Sequence, residues 1–199
     1  LGWELPPYIN GGMGVVCYEM SKVLAGYGAE IRFVVPYAAS HPEADNFMKV
    51  VTSSKLKPLD GGGFGAYLDW TTSPEKFELL QNDYISVAVQ DAKSHLPDVI
   101  HVHDWLTMRA GIAVKKAVNR PLIAHVHATE FDRSGGHYGN PLIHEIEYEG
   151  LMMADRIIAV SDYTEQRIIR EYQIPARKIE VGHNTINFED LAVSDHERQ

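Results

Sequence analysis

Short apolar runs alternate with segments of helical periodicity along most of the chain. Runs rich in β-branched and apolar residues predict strands at residues 1–5, 30–36, 99–103, 122–127, 156–160 and 179–183. Apolar residues spaced three and four positions apart predict helices at residues 16–24, 84–95, 105–117, 141–154 and 162–172. Pro141 stands in the first turn of the fourth helix, and Ser161 is the expected cap of the fifth. Because strands that alternate with helices form a parallel sheet covered on both faces, the sequence predicts an α/β, three-layer Rossmann-like domain with a mainly parallel sheet.

Three segments depart from this alternation. Residues 37–82 are less regular, contain the turn sequence Asp60-Gly61-Gly62-Gly63, and predict an edge hairpin or extra loops. Residues 132–140 are polar and glycine-rich and predict a loop. The polar residues 189–199 predict the start of a linker, so the expected domain covers residues 1–188.

Composition narrows the classes of function. The 199 residues, 45% of them hydrophobic, suffice for one full domain. A net charge of −9, from 18 basic and 27 acidic residues, argues against a nucleic-acid partner. The single cysteine, Cys17, falls in a predicted helix, where we expect it to pack in the core, and its isolation suits a reducing, cytoplasmic compartment. No apolar run reaches membrane-spanning length and no signal peptide is present, and because the chain lacks an initiating Met we expect a trimmed piece of a longer protein.

A glycine-rich turn, Gly11-Gly12-Met13-Gly14, precedes the first predicted helix. Glycines there allow positive backbone angles and close approach of a ligand, and free N–H groups at a helix start favour a phosphate. The plainer interpretation is that these glycines only shape a tight turn into the helix. The dinucleotide fingerprint requires glycine where Cys17 stands, and no Gly-Lys-Ser/Thr follows, so neither common phosphate motif is present.

Two predicted strands end in the same way, one in His101-Val102-His103-Asp104-Trp105 and the other in His125-Val126-His127. Residues two apart in a strand share a face, and open parallel sheets bind ligands beyond the carboxyl ends of their strands. His103, Asp104 and His127 are therefore candidate site residues. His101 and His125 lie deeper and are interpreted as hydrogen-bonded core histidines.

The two His-x-His strands also raise the alternative of a metal-dependent hydrolase, since imidazole is a common zinc ligand. Such a site needs a carboxylate from another strand. The sequence offers no further His-rich strand end with an acidic partner, so we expect no metal and no cofactor.

Three stretches together carry a resemblance that covers nearly the whole chain. They are Pro6-Pro7-Tyr8-Ile9-Asn10-Gly11-Gly12-Met13-Gly14, Asp98-Val99-Ile100-His101-Val102-His103-Asp104-Trp105, and the run from His127 through Ala154 and Val160-Ser161 to His183-Asn184. In these the chain is similar to the N-terminal domain of glycogen or starch synthase-like retaining glycosyltransferases of family 4, which would make it one half of a GT-B fold.

The resemblance implies a role for each matched position. The glycine-rich turn would face the diphosphate of a nucleotide-sugar donor. Asp104 would lie in the interdomain cleft near the sugar and acceptor, and His127 would hydrogen-bond the transferred sugar. Trp105 could contact the substrate or serve only in packing. The expected catalytic residues are His127 and Asp104, and the expected substrate-binding residues are Gly11, Gly12, Gly14, His103 and Trp105.

Two departures from the family pattern limit this transfer of roles. The family usually has Pro/His-Asn-Gly-Ile/Val-Asp after the last strand, whereas this chain has His183-Asn184-Thr185-Ile186-Asn187, so Asn184 and Asn187 receive no role. The family's C-terminal domain, which supplies the nucleotide pocket and basic residues for the leaving phosphate, is missing.

The resemblance implies that the parent protein moves a hexose, expected to be glucose, from a donor of the ADP-glucose or UDP-glucose type to a glycan acceptor with retention of configuration. The alternative is a stand-alone α/β domain that binds a glycan or sugar phosphate without catalysing transfer.

Overall fold

The computed structural model describes residues 1–9, 11–53 and 74–184. Its α-helices are α1 (Gly12–Gly26), α2 (Pro74–Ser94), α3 (Trp105–Val118), α4 (Glu130–Arg133), α5 (Pro141–Met153) and α6 (Asp162–Glu171). Its strands are β1 (Arg32–Val35), β2 (Lys49–Thr52), β3 (Ile100–His103), β4 (Leu122–Val126), β5 (Arg156–Ala159) and β6 (Ile179–Val181). Short 3-10 turns span Ala44–Asn46 and Ala176–Lys178.

The described strands pair in parallel, as the alternation of strands and helices predicts. β1 pairs with β2, and a four-stranded sheet has the order β3-β4-β5-β6. Residues 1–5, predicted as a strand, form no regular strand in the structure, where Leu5 makes an isolated bridge to Tyr8. This N-terminal segment lies between the two sheets, because Gly2 N donates to Val34 O at 3.1 Å and Leu1 N donates to His101 O at 2.6 Å. The Tyr84 hydroxyl of α2 bonds the carbonyls of both Gly2 and Val34.

The chain therefore follows the doubly wound order, with the N-terminal segment at the centre and β1 and β3 on either side of it. In such sheets the strand order reverses beside the first strand, and ligands bind in the crevice at that point. The turn after residue 5 and the end of β3 both border this crevice.

Helix α3 covers β3 and β4 and also packs against α2 and α5. Two glycines permit this close packing. A Cβ on Gly111 would lie 2.4 Å from Val102 Cγ1, and one on Gly150 would lie 2.3 Å from Met108 Sδ. The resulting core is apolar and places the ends of β3 and β4 at a fixed edge.

Several local predictions are confirmed. The Ser161 hydroxyl accepts a hydrogen bond from Thr164 N at 3.1 Å and caps α6. Asn140 caps α5, whose first residue is Pro141. Cys17 is fully buried in α1, as its predicted packing role requires. Within the described segments, no helix is both long and apolar enough to cross a membrane.

The irregular region was predicted less well. β2 pairs in parallel with β1, so the described part of residues 37–82 contains an edge strand but no hairpin. Helix α2 begins at Pro74 and not at residue 84, because Phe77 and Leu80 continue its buried face. The Asp60-Gly61-Gly62-Gly63 turn and the linker at 189–199 lie outside the described residues, so the domain boundary at 188 stays a prediction.

Candidate functional site

The two His-x-His strands lie side by side, and their four rings form one stacked cluster. β3 and β4 pair with His103 opposite His125. The ring centroids of His101 and His103 are 4.5 Å apart, as are those of His125 and His127. Across the strands, His103 Nδ1 lies 3.1 Å from His127 Nε2, a hydrogen bond between the two strand ends. The predicted common face is therefore confirmed.

Burial keeps this cluster uncharged. It lowers the pKa of His127 to about 4 and the pKa of His103 well below its usual range. The deeper pair behaves in the same way, with the pKa of both His101 and His125 lowered to about 3, mainly by burial. Neutral imidazole has one donor and one acceptor nitrogen. At neutral pH, His127, the partly exposed ring at the end of β4, can therefore exchange hydrogen bonds with a polar ligand.

The hydrogen-bonded interpretation of the deeper histidines is wrong for His125. Its side chain is buried, yet neither ring nitrogen has a hydrogen-bond partner among the described residues, and the same holds for Nε2 of His101. Stacking holds His125 in place, with ring centroids 5.5 Å from His101 and 5.2 Å from His103.

Asp104 connects the ends of β3 and β4. Its φ of 55° and ψ of 178° are unfavourable for a residue with a side chain, and such strain collects at functional sites. The carboxylate accepts hydrogen bonds from His127 N at 2.7 Å and Ala128 N at 3.5 Å, and its other oxygen lies 4.0 Å from Arg133 Nη1. Burial raises the pKa of Asp104 to about 6, opposed by Arg133 and the two backbone donors. The geometry makes Asp104 the residue that positions the His127 backbone.

Trp105 begins α3 and lies in the core. It is 2% exposed, and its ring centroid lies 5.8 Å from that of Phe77 on α2. Of the two interpretations of Trp105, this position favours packing over substrate contact. His103 is likewise buried and reaches the edge of the sheet through its hydrogen bond to His127.

The glycine-rich turn has two parts with different surroundings. Gly11 is the N-cap of α1 with an extended φ of −164°, and none of the three glycines has a positive φ, so that expectation is wrong. A Cβ on Gly11 or Gly12 would meet no atom of the described residues within 4 Å, whereas one on Gly14 would lie 2.4 Å from Ile9 Cγ2. Gly11 and Gly12 therefore leave space beside the helix start, while Gly14 is needed for packing.

Helix α1 brings this turn to the histidine cluster. Cys17, five residues after Gly12, has its Sγ within 4.8 Å of ring nitrogens of both His103 and His127. The start of α1 and the ends of β3 and β4 thus meet at the crevice where the strand order reverses.

A buried ionic network behind His127 was missed at the sequence level. Arg133, predicted to lie in a loop, belongs to the short helix α4 and donates to Ala128 O at 2.8 Å. It pairs with Glu130 at 3.3 Å and, at short range, with Glu147 on α5. Glu147 also accepts hydrogen bonds from Glu130 N at 3.0 Å and from the Tyr172 hydroxyl.

One sequence signal could have revealed α4. Thr129 and Asp132 form a capping box, in which Thr129 N donates to the Asp132 carboxylate at 2.8 Å, and this Thr-x-x-Asp spacing marks a helix start. The partners of Arg133 on α5 and β3 have no such local signal. The glycines that follow do form a loop, with positive φ at Gly135, Gly136 and Gly139.

The fold is that of a Rossmann-like domain, a class in which ligands bind at the carboxyl edge of the parallel sheet. Residues 10–190 match Glycosyltransferase Family 4, and the chain belongs to that family. An uncharacterized glycosyltransferase of Methanocaldococcus jannaschii is 28% identical over 188 residues, which are 93% of this chain and 45% of that protein. A glycogen synthase of Mycobacterium tuberculosis is 24% identical over 198 residues, 94% of this chain and 47% of the synthase.

Solved structures show the same fold. The crystal structure of Anabaena HepE in complex with UDP and glucose matches with a TM-score of 0.66 at 14% identity, covering 98% of this chain and 47% of that one. The galactosyltransferase WaaB of the lipopolysaccharide outer core, in its apo form, matches with a TM-score of 0.63 at 16% identity. The fold is that of a GT-B N-terminal domain, and the chain spans about half the length of the curated relatives it matches.

Proposed function

We propose that the parent protein is a retaining glycosyltransferase that moves a hexose, specifically glucose, from a nucleoside-diphosphate sugar to a glycan acceptor. The observation that carries the proposal is the neutral, partly exposed His127 at the same sheet edge as the uncapped start of α1. Family membership supports transfer. The glycogen synthase relative supports glucose and a glycan, and the HepE complexes with UDP-glucose and with UDP support a donor of the ADP-glucose or UDP-glucose type.

The start of α1 is proposed to hold the donor diphosphate. Among the described residues, no side chain caps this helix start, so its first N–H groups are available to an anion. Gly11 and Gly12 leave room for a phosphate to approach the backbone. The helix dipole adds partial positive charge at this point, which compensates locally for the chain's negative total.

His127 is proposed to hydrogen-bond a hydroxyl of the transferred sugar. A hydrogen bond that strengthens as the sugar acquires positive charge lowers the barrier to transfer. Asp104 acts through its two backbone contacts, which fix the end of β4. We therefore assign His127 as a catalytic residue and Asp104 as a positioning residue.

The remaining parts of the reaction are proposed to come from a C-terminal half of the same protein. That half would bind the nucleotide base and neutralise the leaving diphosphate, and no cofactor is needed for this chemistry. The buried thiol of Cys17 fits a reducing, cytoplasmic compartment.

The test is turnover of the full-length protein with ADP-glucose and UDP-glucose as donors and maltooligosaccharides as acceptors. His127→Ala should lower turnover by about one to three orders of magnitude while the protein stays folded. The matched control is His95→Ala, at the exposed end of α2, which should keep normal turnover. Near-normal turnover of folded His127→Ala would show that His127 is not catalytic and has a structural role. Glycan binding without transfer by the unmutated protein would favour the alternative of a binding domain.

A further inference from the structure

Cys17 completes a metal-ligand set that the sequence alone does not show. The sequence offers two His-x-His strands but no obvious further ligand. In the structure, helix α1 places Cys17 Sγ and one ring nitrogen each of His103 and His127 within 4.8 Å of one another. Three donor atoms from three different elements thus converge at one edge of the sheet.

We propose that Cys17, His103 and His127 form a binding site for a soft divalent transition metal, Zn²⁺ foremost. Zn–S bonds of about 2.3 Å and Zn–N bonds of about 2.0–2.1 Å place tetrahedral ligand atoms about 3.3–3.6 Å apart. The nitrogens of His103 and His127 are 3.1 Å apart, close to this spacing. Because the sulfur lies within 4.8 Å of both nitrogens, it needs to approach by no more than about 1.3 Å, a shift that side-chain rotation can supply.

The chemistry of the donor set selects the metal. A thiolate with two imidazoles suits zinc and other borderline or soft ions, whereas Mg²⁺ and Ca²⁺ require oxygen ligands. An imidazole nitrogen that carries no proton offers its lone pair to the metal. Binding replaces the thiol proton of Cys17 by the metal and releases one H⁺. The proton shared by His103 and His127 moves to the outer nitrogen of its own ring.

A buried carboxyl group lies beside the site. Asp104 is 5% exposed, and its carboxylate accepts a hydrogen bond from His127 N at 2.7 Å, so it can offset part of the charge of a bound cation. His127 is the partly exposed ligand, so a fourth, exchangeable position opens on its side, towards the cleft.

A bound metal would inhibit sugar transfer, and this part rests on the proposed function. It would hold the His127 ring through Nε2, the nitrogen that bonds His103 in the structure, so it would fix the orientation of the ring and crowd the space next to the start of α1. Removing the metal with a chelator would restore transfer. The site would then be a reversible inhibitory metal site of the enzyme.

The experiment measures zinc bound per chain by equilibrium dialysis of the purified protein. The expected result is one Zn²⁺ per chain, with affinity reduced by about 10–100-fold or more in Cys17→Ser. The control His95→Ala, which removes a half-exposed histidine outside both candidate ligand groups, should bind zinc as the parent does. In the unmutated protein, Co²⁺ should give the intense visible absorption of a tetrahedral ion and a near-ultraviolet thiolate-to-cobalt band.

Binding that survives in Cys17→Ser, or Co²⁺ spectra with no thiolate band, would overturn the proposal. Binding that survives in Cys17→Ser but is lost in His125→Leu would place the ion among His101, His103 and His125 instead. If transfer is measurable, Cys17→Ser should keep it and lose zinc inhibition. Because zinc binding needs no sugar transfer, failure of the metal site and failure of the proposed function are distinguishable.

Discussion

His125 and His127 share one face of β4 but have different surroundings. His127 is partly exposed and bonds His103, whereas His125 is 5% exposed and neither of its ring nitrogens has a partner among the described residues. A buried polar atom without a partner costs about 1–3 kcal/mol of stability. His127 is therefore a candidate catalytic histidine and His125 a core histidine that lowers stability, because the two rings differ in burial and in hydrogen-bond partners.

His125→Leu should leave the free energy of unfolding unchanged or raise it by up to about 2 kcal/mol, because removing two unpaired nitrogens offsets the lost stacking. Urea denaturation measures this. His144→Leu is the matched control, since His144 Nδ1 bonds the Tyr138 hydroxyl at 3.0 Å, and it should lose about 1 kcal/mol. A loss above about 1 kcal/mol in His125→Leu would show that His125 has a stabilising partner.

At the scale of elements, the start of α1 combines two requirements in one glycine-rich turn. Gly14 lets the helix pack against Ile9 and Glu4, since its Cβ would lie 2.4 Å from Ile9 Cγ2 and 3.1 Å from Glu4 Cβ. Gly12 faces open space. The two glycines can therefore be tested against each other within the same turn.

Gly14→Ala should lower stability by about 1–3 kcal/mol through overpacking. Gly12→Ala should keep or slightly raise stability, because alanine is the better helix former by up to about 1 kcal/mol. If the turn binds the donor diphosphate, Gly12→Ala should nonetheless raise the donor KM of the full-length protein. Denaturation curves and donor titrations measure these effects, and an unchanged KM would remove Gly12 from the donor site.

Helix α4 depends on Arg133, which neutralises buried carboxylates from three elements, Asp104, Glu130 and Glu147. Arg133→Met should destabilise the protein by about 3–5 kcal/mol, because it leaves buried charges unpaired. Arg170→Met, on the exposed side of α6, should change stability by no more than about 0.5 kcal/mol. Equal effects of the two substitutions in thermal unfolding would mean that the network contributes little.

At the scale of the whole molecule, the chain folds as a doubly wound sheet but carries only one side of the proposed reaction. All described strands have parallel neighbours, and the N-terminal segment joins β1 to β3. Charge stabilisation of a leaving diphosphate requires donors on its far side as well. The described residues offer only the start of α1 and the histidine cluster for this purpose.

Residues 1–199 should therefore fold without transferring sugar. Loss of a single preorganised donor typically costs about 10²–10³ in rate, and here a whole set of donors would be missing. A cooperative unfolding transition would establish folding. A labelled-donor assay with glycogen or short maltooligosaccharides would test transfer, and sustained transfer above the no-enzyme control would refute the two-domain mechanism.

The sequence by itself determined the alternation of strands and helices over most of the chain, the parallel sheet, and the face that the two histidines of each His-x-His pair share along their own strand. These follow from local periodicity, since each strand or helix must bury its own apolar face. The cap at Ser161 could also be predicted from the local sequence, because a serine directly before a helical pattern favours the N-cap position. Residues 37–82 were harder because their apolar pattern is weak, so the early start of α2 was missed.

Only the tertiary structure decided which distant residues became neighbours. Cys17 on α1 lies next to His103 and His127, which are far from it in the sequence, and Arg133 pairs with Glu147 because α4 and α5 pack together. Contacts between distant segments also decide that Gly14 is packed against neighbours while Gly12 is not, and that the ring nitrogens of His125 have no hydrogen-bond partner among the described residues. Packing between segments far apart in the chain leaves no periodic signal in either one, so the candidate metal ligands and the ionic network appear only in the folded chain.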